Sequence, residues 1–86
     1  MSMERFECGM LAKSKAGHDK GHVYVILNAD ETYVYLVDGI IRTLDKPKKK
    51  KKKHIQIIHE RYDITGMDDV KIKRILKLFD KDLGRK

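Results

Sequence analysis

Between His22 and Val37 two short runs, HVYVIL and YVYLV, are rich in β-branched and aromatic residues and are separated only by the polar stretch NADET. Composition of this kind predicts two strands joined by a turn. In the first, Val23, Val25 and Leu27 share one face and Tyr24 and Ile26 the other. The chain around them supplies further short extended segments. Residues 8 to 14 read as one, and Ile40 to Leu44 as another, joined to Tyr33–Val37 by Asp38-Gly39, the dipeptide that favours a tight type I′ hairpin. A fifth is HIQIIH, His54 to His59. Five short strands at close spacing predict a small barrel.

The period changes near the end. From Asp68 or Asp69 to Leu83, Ile72, Ile75, Leu76, Phe79 and Leu83 recur at helical spacing with Lys71, Lys73, Arg74, Lys77 and Lys81 between them. Thr65 or Asp68 suits the start of this helix and Gly84 its end. A helix of about 15 residues is marginal alone, so it must dock on the barrel or on a partner. The 86 residues then divide into an N-terminal segment 1–7, a barrel 8–59, a connector 60–67 and a helical region 68–86. A single domain of this size hides roughly 60 to 65% of its unfolded surface, so nearly every apolar residue is needed in the core.

Charge is concentrated in one place. There are 20 basic and 13 acidic side chains, and Lys46 together with Lys48, Lys49, Lys50, Lys51, Lys52 and Lys53 accounts for the whole formal excess of +7. Outside residues 46–53 the chain is balanced, which points to a local site for an anionic partner. Six consecutive lysines repel one another and favour a solvated loop, and Pro47 removes a backbone donor and biases Lys46 toward extended geometry. A lysine loop tethered at both ends by strands would present a fixed positive patch. If all seven lysines met phosphates of a single strand, log K would fall with log salt with a slope of roughly −5. Other readings are a loop that only aids solubility, a nuclear import signal of similar composition, and anionic lipid, although no membrane-inserting aromatics flank the run. Nucleic acid is the partner best supported.

The stretch KAGHDKGHVYV is the second constellation. Gly17 and Gly21 bracket a turn that lets backbone approach a phosphate or sugar, while Lys15, Lys20, His18 and His22 add donors. It lacks the ending of a nucleotide-binding P-loop. Turn geometry alone would account for the two glycines equally well.

KSKAGHDKGHVYVIL resembles a KOW motif, a strand, a basic turn with a glycine, and a second strand. YVYLVDGIIRTLDKPKKKKKKHI is similar to the segment after that motif in short bacterial RNA-binding proteins related to the KOW-bearing large-subunit ribosomal proteins of archaea and eukaryotes. The likeness covers about residues 9 to 55 and rests on the KOW stretch, the Leu36-Val37-Asp38-Gly39 turn, Arg42, and the proline followed by lysines and His54. It implies an SH3-like barrel that binds RNA, ribosomal RNA above all, with Lys20 and Gly21 as motif positions. One position departs: many KOW motifs have a glycine where Tyr24 stands.

Other chemistries find less support. Cys8 is the only cysteine, so no intramolecular disulfide forms, which fits a reducing compartment. The four histidines lack the spacing of a zinc site, and the carboxylates and two serines form no catalytic pattern; no cofactor, metal or catalytic residue is expected. No run of some 18 apolar residues spans a membrane, and MSMERFECG lacks the apolar stretch of a secretory signal, so a cytoplasmic protein is expected. Tyr24, Tyr33 and Tyr35 fit barrel packing better than base stacking, unless the face carrying Tyr33 and Tyr35 is open to solvent.

The expectation is a mainly β protein, a small SH3-like five-stranded barrel with a C-terminal α-helix. Its expected partner is structured RNA of the large ribosomal subunit or its precursors, met by Lys15, His18, Lys20, Gly21, His22, Arg42, Lys46, Lys48 to Lys53 and His54. The alternative is a protein-interaction module docking through the barrel or helix, with the lysines giving general anionic attraction. An exposed Ile72, Ile75, Leu76, Phe79 stripe would favour it.

Overall fold

A computed structural model describes residues 6–62 and 66–82. Five antiparallel strands curl into a half-barrel, and one helix comes after them, as the sequence predicts. The strands are β1 (Met10–Ser14), β2 (Val23–Ala29), β3 (Tyr33–Val37), β4 (Lys48–Lys51) and β5 (Ile55–Arg61), with a single 3₁₀ turn at Lys52–His54; the helix, α1, spans Asp69–Asp82. The sheet order is β4-β3-β2-β1-β5.

Both faces of the sheet are buried in its middle, and each has its own core. On the inner face Ala12, Tyr24, Ile26, Val34, Leu36, Ile55 and Ile57 form one cluster. It joins β3 to β5, which are not neighbours in the sheet, and this is the curl of the half-barrel. On the outer face Leu11, Val25 and Val37 pack under Ile72, Ile75 and Phe79 of α1. Burying a large apolar side chain contributes about 1.5 to 3 kcal/mol, so three buried anchors readily stabilise a helix too short to stand alone. Ile72, Ile75 and Phe79 of the apolar stripe therefore face the sheet, Leu76 is half-buried, and Leu83 lies outside the described residues. Asp68 caps the helix, its Oδ1 accepting the Lys71 N–H at 3.0 Å. Thr65 and Gly84, the other expected boundary residues, lie outside the described residues.

Two expectations are corrected. Asp38-Gly39 does not form a hairpin, and Ile40 to Leu44 is not a strand. A type I′ turn needs positive φ at both central residues, and among the described residues only glycines have it, Gly39 at 77°. The Asp38 side chain decides the matter. Its Oδ1 accepts the N–H groups of Ile40, Ile41 and Arg42 at 2.9, 3.1 and 2.9 Å, which winds the backbone tightly and takes those donors from any ladder.

The lysine loop 46–53 is likewise not a loop throughout. Lys48–Lys51 is the edge strand β4, paired with β3 in the register Leu36↔Lys48, Tyr35↔Lys49, Val34↔Lys50, Tyr33↔Lys51. Mutual repulsion is relieved by alternation, since successive side chains leave opposite faces of a strand. An edge made of lysines also resists pairing with other strands.

Gly39 holds the helix close. A Cβ there would meet the carbonyl oxygen of Asp69 and come within 2.9 Å of the Lys73 nitrogen, while Asp69 Oδ1 accepts the Leu44 N–H at 2.8 Å. Gly21, at φ 89°, has open space where a Cβ would stand. Gly21→Ala should therefore cost about 1 to 2 kcal/mol from backbone conformation alone, and Gly39→Ala clearly more, because α1 must also shift. Urea unfolding of the two variants measures the difference.

Candidate nucleic-acid interface

The turn between β1 and β2 is held by its own backbone. Gly21 N–H donates to Ser14 O at 2.8 Å, Ser14 N–H to His22 O at 2.9 Å and His22 N–H to Asp19 O at 2.9 Å. Positive φ at Gly17 and Gly21 makes this geometry possible. Lys15, His18, Lys20, Gly21 and His22 are exposed on it.

Asp19, read in the sequence only as part of a polar turn, organises the site. Its side chain points to the mouth of the half-barrel, where Tyr24 Oη donates to Oδ2 at 2.7 Å, Lys50 Nζ to Oδ1 at 3.1 Å, and Ser14 Oγ lies 2.9 Å from Oδ1. Lys48 Nζ is 3.9 Å away. Lys50 also donates to Ala16 O at 3.0 Å, and its side chain is only 12% exposed. Partial burial pushes the Asp19 carboxyl up, but the hydrogen bonds from Tyr24, Lys50 and Ser14 outweigh it and hold the group well below the usual carboxylate range. Burial, and then the bond to Asp19, push the Tyr24 hydroxyl well above its ordinary value. Tyr24 thus fills the inner core and ties the turn through Asp19.

The lysines consequently do different things. Lys48 and Lys50 lie on the inner side with Val34 and Leu36, and Lys50 is committed to Asp19. Lys49 and Lys51 are exposed on the outer side with Tyr33 and Tyr35. Lys49 Nζ sits 4.3 Å from the centre of the Tyr33 ring, and Lys52 Nζ 5.2 Å from that of Phe6. Lys46, Lys51 and Lys53 are exposed and make no ion pair among the described residues.

These contacts bring two distant segments together. Besides the Asp19 bridge to the middle of the run, Lys15 N–H donates to His54 O at 2.8 Å, so the turn also adjoins the residue that follows the last lysine. His54 is half-buried there. Arg42 is half-buried in the turn closed by Asp38, and His22 Nε2 lies 3.0 Å from Asp38 Oδ2. His22 is therefore tied to this second turn, and its ring tilts against Tyr24 with centroids 4.5 Å apart. Burial raises the Asp38 carboxyl, but the Ile40 and Arg42 N–H groups and His22 bring it below its ordinary value.

Tyr33 and Tyr35 are half-buried beside Lys49 and Lys51, so part of their face is open. The described residues hold no cluster of three or more His, Cys, Asp or Glu able to bind a metal, and no helix long and apolar enough to cross a membrane. The chain matches no protein-family model and no curated protein.

Removing Lys50 leaves a half-buried carboxylate without its main cation. Lys50→Ala should lose about 1 to 2 kcal/mol, whereas Lys51→Ala should stay within about 0.5 kcal/mol, read as urea midpoints.

Because Asp19 and Asp38 are depressed in the folded state, the stability they contribute is fully present above the unfolded pKa of about 4 and is lost as pH falls below it toward their folded values. The urea midpoint should hold from pH 7 to about 5 and decline below about 4. Asp19→Asn should start lower and decline less.

Proposed function

We propose that this chain is a non-catalytic RNA-binding protein of the KOW type. It binds structured ribosomal RNA of the large subunit, or its precursors, in the cytoplasm. The observation that carries this reading is that the glycine-bracketed turn and the lysine run lie against each other, through Asp19 and through Lys15 and His54. Exposed Lys15 and Lys20 on the turn, and exposed Lys46, Lys49, Lys51 and Lys53 of the adjoining run, would neutralise phosphates, Lys49 and Lys51 from the outer side of β4, and exposed Gly21 lets backbone come close. Contacts of this kind set position, so specificity comes chiefly from RNA shape. Lys50 is excluded from the contact set because Asp19 already holds it. Burial of Ile72, Ile75 and Phe79 on the sheet argues against the alternative of a partner docked on the helix stripe.

With these six lysines on phosphates, log K should fall with log salt with a slope of about −4 to −5. The triple variant Lys49→Ser, Lys51→Ser, Lys53→Ser should make that slope shallower by about 2 to 3, with a urea midpoint lowered only slightly through loss of the Lys49–Tyr33 contact. In a sucrose gradient the protein should travel with large subunits or their precursors and be released by salt. A protein that stays at the top at low salt would sink the ribosomal assignment.

A further inference from the structure

The helix does not cover the whole outer face of the sheet. Beside it runs a groove of about 750 Å³ into which the Gly21-His22 end of the turn opens. That volume is within the range of small-molecule sites, about 300 to 1,000 Å³. Its walls are chemically divided. Val23 and Ile58 from the sheet and Leu76 and Phe79 from the helix supply apolar surface, while Lys13 from β1 and Lys73 and Lys77 from α1 supply cations from opposite sides.

None of these three lysines makes an ion pair among the described residues, and all three are exposed. Asp38 also lines the groove, but its oxygens already accept three backbone N–H groups and face His22. The uncompensated charge is therefore positive. An apolar ligand would leave the lysines without a partner, and a bare phosphate would leave the apolar wall wet. A ligand with a flat apolar part and an anionic part satisfies both.

We infer that this groove binds a single nucleotide, its base against Val23, Ile58 and Leu76 and its phosphate between Lys13, Lys73 and Lys77. Resting on the RNA-binding reading, the nucleotide is an unpaired one whose strand continues past Gly21 onto the basic turn. Unstacked bases held on side chains are how proteins commonly read single-stranded RNA segments. The missing neighbour at Gly21 leaves room for the backbone to pass. The inference extends the interface beyond the lysine run to the helix, which the run alone would not engage.

Amide NMR titration of the full chain with a nucleoside monophosphate, inorganic phosphate and the free nucleoside is the test, repeated with a single-stranded oligoribonucleotide and a blunt RNA duplex. The monophosphate should shift Val23, Ile58 and Leu76 signals more than either component does. The K73S/K77S variant, altered only at exposed helix positions, should keep its urea midpoint and bind the monophosphate and the single strand about tenfold more weakly. Its duplex affinity should change less. Single-strand binding that K73S/K77S leaves unchanged overturns the groove while sparing the RNA reading. Monophosphate binding in the groove by a chain that binds neither RNA supports the site for a free nucleotide and sinks the RNA reading. Shifts confined to Lys46–Lys53 overturn the groove.

Discussion

The Asp19 carboxylate at the mouth of the half-barrel is the contact on which the rest of the arrangement depends. A lysine strand on the edge of a small sheet brings positive charge against an apolar interior, and long aliphatic stems can cover that interior only if the ammonium groups find a partner. Asp19 supplies one to Lys50 and draws Lys48 near. The same carboxylate accepts the Tyr24 hydroxyl and lies against Ser14. One residue in a turn thereby joins β1, β2 and β4. It also decides which lysines remain available: those that alternate outward.

A second constraint is the double burial of the central strands. In β2, Tyr24, Val25 and Ile26 are all buried, which an open sheet with one wet face would not produce. The outer face is covered because α1 lies across it, and α1 can approach because Gly39 has no side chain and Asp69 ties the 38–44 segment to the helix start. The Asp38 turn, in place of a hairpin, opens the 38–47 segment that joins the end of β3 to the start of its neighbour β4.

Residues whose role depends on local pattern were readable in advance. The β2 and β3 runs, the helix stripe from Ile72 to Phe79 and the Asp68 cap depend on side-chain periodicity and nearest neighbours, and they stand where the sequence places them, with β2 running on to Ala29. Basic residues of the turn and the run were also readable as charge. Asp19 was not, because a single aspartate in a glycine-bracketed turn looks like any polar turn residue until Lys50, 31 positions away, is placed beside it. Lys13, Lys73 and Lys77 were likewise ordinary exposed lysines until the helix docked. For Asp38 the sequence did hold a usable signal, since aspartate readily accepts backbone N–H groups two to four residues on, but the Asp-Gly pair favoured the hairpin.

By itself, then, the sequence determined that the chain is mainly β with one amphipathic helix, and that its net charge lies in one short segment. Both are properties of composition and period, which need no knowledge of distant contacts. Only the tertiary structure decided that Lys48–Lys51 of the lysine run is a strand, which of the run's charges are used internally, and where the helix lies. Local repulsion alone argues for a loop at Lys48–Lys51. Pairing with β3 and compensation by Asp19 are long-range interactions, and together they outweigh it.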